Sequence, residues 1–227
     1  MPVIFFDIGA TLADARTGPD GSLVLRPLPR VMAVLDALHE VRRGIISNPG
    51  PSEDDVRRVA TALHAAFPGR FADEALVHWG AKDSRGIFDR AVASTGGAAA
   101  DACVFVGEDA QERAFAREAG MRTAAHPVFA LAATQNRAVL RARVELPAGR
   151  DLSELATAVN ETEAVVVQTV SERLVLALVT AAGAQALEQA GFTVEPRGPV
   201  DATQTFHGRQ GRPAAEEPLA DAPRPGR

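Results

Sequence analysis

The stretch Val3-Ile4-Phe5-Phe6-Asp7-Ile8-Gly9-Ala10-Thr11-Leu12 decides the architecture of this chain. Four consecutive apolar residues leave no polar face, so they read as a strand buried on both sides, the kind that parallel sheets contain. An aspartate follows at once. A carboxylate held just beyond a buried strand can be desolvated, aligned and used as a nucleophile. The same Asp and Thr, taken alone, also close an ordinary strand-to-loop turn.

Outward from this segment, apolar runs alternate with helical patterns. Gly44-Ile45-Ile46-Ser47, Ala75 to Trp79, Ala102 to Val106 and Arg122 to Ala125 read as further strands. Between them Val31, Val34, Leu35, Leu38 and Val41 recur at helical spacing behind Pro29. Ser52 is placed as an N-cap, with Glu53, Asp54 and Asp55 in the positive first turn of a helix that carries Val56, Val59, Ala60, Leu63 and Phe67 on one face. Further helices fall at Ile87 to Ala93 and before Gly120. Strands alternating with helices imply right-handed βαβ units, hence an α/β, Rossmann-like parallel sheet over residues 1–130. Such sheets bind ligands outside the carboxyl ends of their strands. Asp7, Ser47, Lys82 and Glu108 all fall at or just past strand ends, which places four polar groups at one rim.

After Pro127 the texture changes. Ala138 to Leu146, Ala164 to Val170, Leu174 to Val179 and Phe192 to Glu195 read as strands, with helices at Leu152 to Val159 and Ala181 to Ala190. The order β-α-β-β-α-β is the split-βαβ, ferredoxin-like pattern, so residues 136–200 are expected to form a small α+β domain. Residues 201–227, rich in Gly, Pro and Ala from about His207, read as a flexible tail.

Bulk properties exclude several function classes. The 227 residues are 46% hydrophobic and 23% charged, as in ordinary globular proteins. A net charge of -5 offers no basic footprint for nucleic acid or acidic lipid. The single cysteine, Cys103, cannot form an internal disulfide, which fits a reducing cytoplasm. No basic segment precedes Asp7, so the start is not read as a signal peptide. The longest apolar run, Leu174 to Leu187, falls short of the roughly 20 residues that span a bilayer. A cytoplasmic protein without nucleic-acid or membrane partners is therefore expected. No Gly-x-Gly-x-x-Gly or Gly-x4-Gly-Lys-Ser/Thr loop occurs, which counts against dinucleotide and nucleoside-triphosphate cradles.

Every basic residue but one is arginine. Base composition of the genome can replace lysine by arginine wherever either serves, so the solitary Lys82 marks a place where a compact ammonium is needed.

These features together resemble the haloacid-dehalogenase-like hydrolases. Asp7-Ile8-Gly9-Ala10-Thr11 resembles the family's first motif, a strand followed by Asp-x-Asp-x-Thr. Ile45-Ile46-Ser47-Asn48 resembles the second, a strand ending in a hydroxyl residue that bonds a phosphoryl oxygen. Gly80-Ala81-Lys82-Asp83-Ser84 resembles the third, whose lysine offsets charge on the nucleophile and the phosphoryl group. Val104-Phe105-Val106-Gly107-Glu108-Asp109, with Glu112 beyond it, resembles the fourth, which supplies acidic ligands to Mg²⁺. Four matches come in the family's order. The resemblance implies a phosphohydrolase acting on a phosphorylated substrate of unspecified identity. Asp7 and Lys82 would be catalytic, and Ser47, Asn48 and Lys82 would hold the phosphoryl group. Asp7, the Gly9 carbonyl, Glu108, Asp109 and Glu112 would be the candidate Mg²⁺ ligands.

The chain also departs from the family. Position 9 is Gly where the family has the aspartate that protonates the leaving group and activates water; losing a general acid/base costs on the order of 10² to 10⁴ in rate. Glu108 stands where Asp is usual, and the later acidic position is Glu112 or is filled by Arg113. Phosphonatases lack the second aspartate but use a cap-domain lysine, and this chain has no second lysine. Dehalogenases also lack it but work inside a capped pocket. Here Leu12 to Gly44 holds only a hairpin-like flap, with Gly18-Pro19-Asp20-Gly21 at its turn, and one helix. The core is thus expected to be uncapped. The rival reading is a catalytically inactive relative kept as a binding or regulatory module. A third places the main function in residues 136–200, as ligand sensing or as a homo-oligomer formed through that sheet. His39 and His64 read as ordinary helix residues and His126 as a loop residue, while His78 and Trp79 close the third strand near the site and are candidates to line it.

Overall fold

The computed structural model describes residues 1–200, and the tail expected at 201–227 lies outside the described residues. Strand β1 (Val3–Phe6) is buried along its whole length. It pairs in parallel with β4 (Arg42–Ser47) on one side and β6 (Cys103–Val106) on the other. Strands β5 (Val77–Trp79) and β7 (Arg122–Ala124) complete a five-stranded parallel sheet of order β5-β4-β1-β6-β7. Alternate residues of β1 explain why both faces are apolar. Ile4 and Phe6 enter one core with Leu35, Leu63 and Phe67, whereas Val3 and Phe5 enter another with Ile87, Phe88 and Ala116. Helices α1 (Val31–Ala37) and α2 (Glu53–Ala66) therefore cover one face, and α3 (Gly86–Ser94) and α4 (Ala110–Glu118) the other.

Local chemistry sets the element ends. Ser52 and Asp55 form a reciprocal capping box at the start of α2, with Glu53, Asp54 and Asp55 all in its first turn. Helix α1 stops at Ala37, one turn before the apolar spacing through Val41 suggests, and its N-cap position, Arg30, has φ +67 and no side-chain cap. Gly44 is required where β4 passes the 3₁₀ turn Glu74–Leu76, since a Cβ there would lie 2.3 Å from the Leu76 carbonyl oxygen. Between β1 and β4 the chain adds only the antiparallel hairpin of β2 (Ala13–Thr17) and β3 (Leu23–Pro27) and helix α1.

The second half follows the β-α-β-β-α-β order. Strands β8 (Val139–Glu145), β9 (Ala164–Ser171), β10 (Leu174–Thr180) and β11 (Thr193–Pro199) form an antiparallel sheet of order β11-β8-β10-β9. Helices α6 (Leu152–Asn160) and α7 (Ala181–Gln189) bury Leu155, Val159 and Leu187 against it. This is the ferredoxin-like arrangement. Val165 and Leu178, from β9 and β10, join the core that contains β1, so the two sheets share packing. Arg30 ties them further by donating to the carbonyls of Ala164 (2.6 Å) and Thr162.

One element went unread in the sequence. A 3₁₀ turn at Pro127–Phe129 leads into helix α5 (Ala130–Thr134). His126, expected in a loop, is buried and caps that turn, its Nδ1 accepting the Val128 amide. No helix among the described residues is long and apolar enough to cross a membrane.

Candidate active site

The sheet order fixes where a site forms. From β1 the chain steps outward to β4 and β5, then returns to the other side of β1 at β6. The crevice opens where strand order reverses, outside the carboxyl ends of β1 and β6. Asp7 follows β1 and Glu108 follows β6 by two residues.

Asp7 is 5% exposed. Its Oδ1 accepts from the Ser47 hydroxyl at 2.9 Å and lies 2.6 Å from Lys82 Nζ. The ammonium also lies 2.7 Å from Glu112 Oε2 and 5.8 Å from the centre of the Phe105 ring. Lys82 reaches this position from the loop after β5, where Gly80, at φ +148, donates its amide to the Ser47 carbonyl. Asp7 and Ser47 from two strand ends, Lys82 from the loop after a third and Glu112 of α4 are thereby joined in one cluster.

The loop after β6 is held separately. Thr11 Oγ1 donates to Glu108 Oε2 at 2.7 Å and accepts the Glu108 amide at 3.2 Å. Arg113, 2% exposed, donates to the carbonyls of Gly107 and Glu108, each at 2.7 Å. A Cβ on Gly107 would meet the Phe105 ring at 2.9 Å, so a side chain here would have to displace that buried ring.

Three carboxylates and one ammonium make the site electrostatically lopsided. Burial disfavours the Lys82 ammonium, but Asp7 and Glu112 together outweigh it and raise its pKa. Burial pushes Glu112 up to about 7; Lys82 opposes this, and the charges of Asp7 and Glu108 add to it. Burial likewise raises Glu108, with Asp7 adding to the shift and the Thr11 hydroxyl partly offsetting it. An excess of negative charge on hard oxygen donors suits a divalent cation such as Mg²⁺. The turn bonds of residues 8–13 engage the carbonyls of Ile8 and Ala13 and not that of Gly9. Among the described residues no three His, Cys, Asp or Glu stand in a metal-holding group, and the oxygen donors that could be offered to a cation here are those of Asp7, Glu108 and the Gly9 carbonyl.

Two expected site residues are engaged elsewhere. Asp109 caps α4, its Oδ1 accepting the amides of Gln111 (2.7 Å) and Glu112 (3.0 Å), so its carboxylate serves the helix. Asn48 is exposed, and its Oδ1 accepts the Gly50 amide at 3.3 Å in a local turn. His78 turns from the site toward α3, its Nε2 2.9 Å from Ser94 Oγ, and Trp79 packs against the core. Thr11 and Arg113 carry structural roles that the sequence reading did not assign.

No family model matches the chain, and no curated protein matches it. Among solved structures, a candidate 3-deoxy-D-manno-octulosonate 8-phosphate phosphatase from Vibrio cholerae is 15% identical, with a TM-score of 0.38. The likeness covers 52% of this chain and 62% of that one, so the chain spans less than two thirds of the other protein's length. The fold itself is α/β: a five-stranded parallel sheet between helices, followed by an antiparallel α+β unit.

Proposed function

We propose that the chain is a Mg²⁺-dependent phosphohydrolase of the haloacid-dehalogenase-like type, working through an aspartyl-phosphate on Asp7. The observation that carries this reading is the buried Asp7 carboxylate held at one oxygen by both Lys82 and Ser47. With Oδ1 so held, Oδ2 attacks phosphorus, forming the acyl-phosphate bond as the bond to the leaving oxygen breaks. Ser47 and Lys82 then donate to the phosphoryl oxygens. Such fixed donors, already oriented, stabilise charge as it develops. Bound between Asp7, Glu108 and the Gly9 carbonyl, Mg²⁺ would supply charge neutralisation at the phosphoryl group. Gly9 offers no proton, so the leaving oxygen takes one from solvent and water attacks the acyl phosphate without a side-chain base. Turnover is therefore slow.

The test is Mg²⁺-supported hydrolysis of an aryl phosphate that vanishes in Asp7→Asn. Absence of phosphate release across a broad phosphomonoester panel would overturn the proposal. A non-catalytic binding role is the second reading, favoured by Gly9 and by the helix-capping role of Asp109. Beryllium fluoride, which mimics the acyl phosphate, separates them. A catalytic site binds it in the presence of Mg²⁺ and loses it in Asp7→Asn, whereas a silent site shows no Asp7-dependent binding.

A further inference from the structure

A cavity of about 470 Å³ lies between α4 and β7 on one side and β8, β10 and the end of β11 on the other. This size falls within the range of about 300–1,000 Å³ typical of small-molecule sites. Its floor is apolar, made by Met121, Phe129, Val139 and Leu178 among others. Its polar lining is one-sided. Arg113, Arg117, Arg122 and Arg137 all line it, and among the described residues no aspartate or glutamate does, in a chain whose net charge is -5.

The arginines are not equivalent. Arg113 is bonded to the carbonyls of Gly107 and Glu108, and Arg137 is paired with Glu163. Arg122 donates to the Thr134 carbonyl at 2.7 Å, and Arg117 donates to Thr123 Oγ1 at 3.1 Å. Neither Arg117 nor Arg122 has a carboxylate partner among the described residues. Arg113 and Arg117 also sit one turn apart on the same helix, an arrangement in which like charges repel. An anion beside Arg117 would offset that repulsion, and guanidinium forks match carboxylate, sulfonate and phosphate oxygens.

We infer that this cavity is a binding site for a small organic anion, with its acidic group between Arg117 and Arg122 and its apolar body over Met121, Phe129 and Leu178. It is a separate site from the Asp7 crevice, and the inference does not depend on phosphohydrolase activity. The probe is 8-anilinonaphthalene-1-sulfonate, titrated into the full chain by fluorescence and calorimetry. The expected result is saturable one-to-one binding, weakened at least tenfold in the double variant Arg117→Gln/Arg122→Gln. Ala133→Phe, which fills the cavity and keeps its charges, blocks binding to a similar degree, and Asp7→Asn leaves it unchanged. Binding that survives both cavity variants overturns the inference, as does binding that is lost in Asp7→Asn. The Ala133→Phe result decides the matter if the double arginine variant fails to fold.

Discussion

The hydroxyl of Thr11 and the carboxylate of Glu108, 97 residues apart in the chain, are joined twice: the hydroxyl donates to the side chain at 2.7 Å and accepts the amide at 3.2 Å. Thr11 is 2% exposed, so no solvent replaces either bond. The pair fixes the loop after β1 to the loop after β6, which are the two walls of the crevice.

Thr11→Val keeps the shape and removes both bonds. The Glu108 amide and carboxylate are left unsatisfied in a partly buried setting, which costs about 1–3 kcal/mol. Denaturant unfolding is expected to show a lower midpoint with an unchanged slope. A variant as stable as the parent would show that the two loops are held by other contacts.

Gly9→Asp is expected to be tolerated and to accelerate the reaction. A Cβ at Gly9 meets nothing within 4 Å, and the residue has an ordinary backbone conformation. Stability should change by no more than about 0.5 kcal/mol. Restoring a group that can give and take a proton should raise aryl-phosphate turnover on the order of 10²-fold. A folded variant with no gain shows that proton transfer does not limit turnover.

Lys82→Met leaves Asp7 and Glu112 without their shared cation. Breaking a buried pair on one side costs about 3–5 kcal/mol, and without the opposing ammonium Glu112 favours the protonated form further. A carboxyl whose pKa is raised by folding contributes stability that is present at low pH and lost as pH rises through that pKa. Glu112, already at about 7 in the folded chain, follows this sign in the parent. The loss in Lys82→Met is therefore expected to be larger at pH 8 than at pH 5, read by chemical denaturation at each pH. An equal loss at both would show that the ammonium does not govern Glu112.

His126 sets an opposite trend. Burial, with the Arg30 charge adding to it, lowers its pKa to about 3. Its Nδ1 accepts the Val128 amide at 3.1 Å, which a protonated ring cannot do. The unfolded chain takes up this proton near pH 6.5 and the folded chain does not until about 3. Stability thus falls by about 1.4 kcal/mol per unit as pH drops across that window. His126→Asn retains a capping acceptor and has no titration, so its stability should decline less between pH 6.5 and 5. Parallel profiles for the two chains would exclude His126 as the cause.

Much of the fold was legible because burial on both faces writes a strand as an unbroken apolar run. Val3–Phe6, Ile45–Ile46 and Cys103–Val106 could be placed without ambiguity, and the shared rim followed from their polarity. The ferredoxin-like order was legible through the alternation of Val139–Glu145 and Leu174–Thr180 with short helices. Missed features were those in which one residue type serves two purposes. Asp109 suits a metal ligand and a helix N-cap equally, but Glu112 three residues later is the signature of a cap. His126-Pro127 before an alanine-rich stretch was a start signal for α5 that its short length obscured. The paired bonds of Thr11 to Glu108 depend on tertiary approach, for which sequence spacing carries no sign.

The placement of Lys82 also makes the protein unusually transparent to amine chemistry. The chain holds one ε-amino group, and that group lies 2.6 Å from Asp7 and is 8% exposed. Isotopic labelling of lysine therefore yields a single side-chain ammonium resonance, reporting from inside the crevice without a mutation. Reagents that acylate amines find only this group and the chain's terminal amine, so the rate at which Lys82 is modified becomes a direct clock for opening of the crevice.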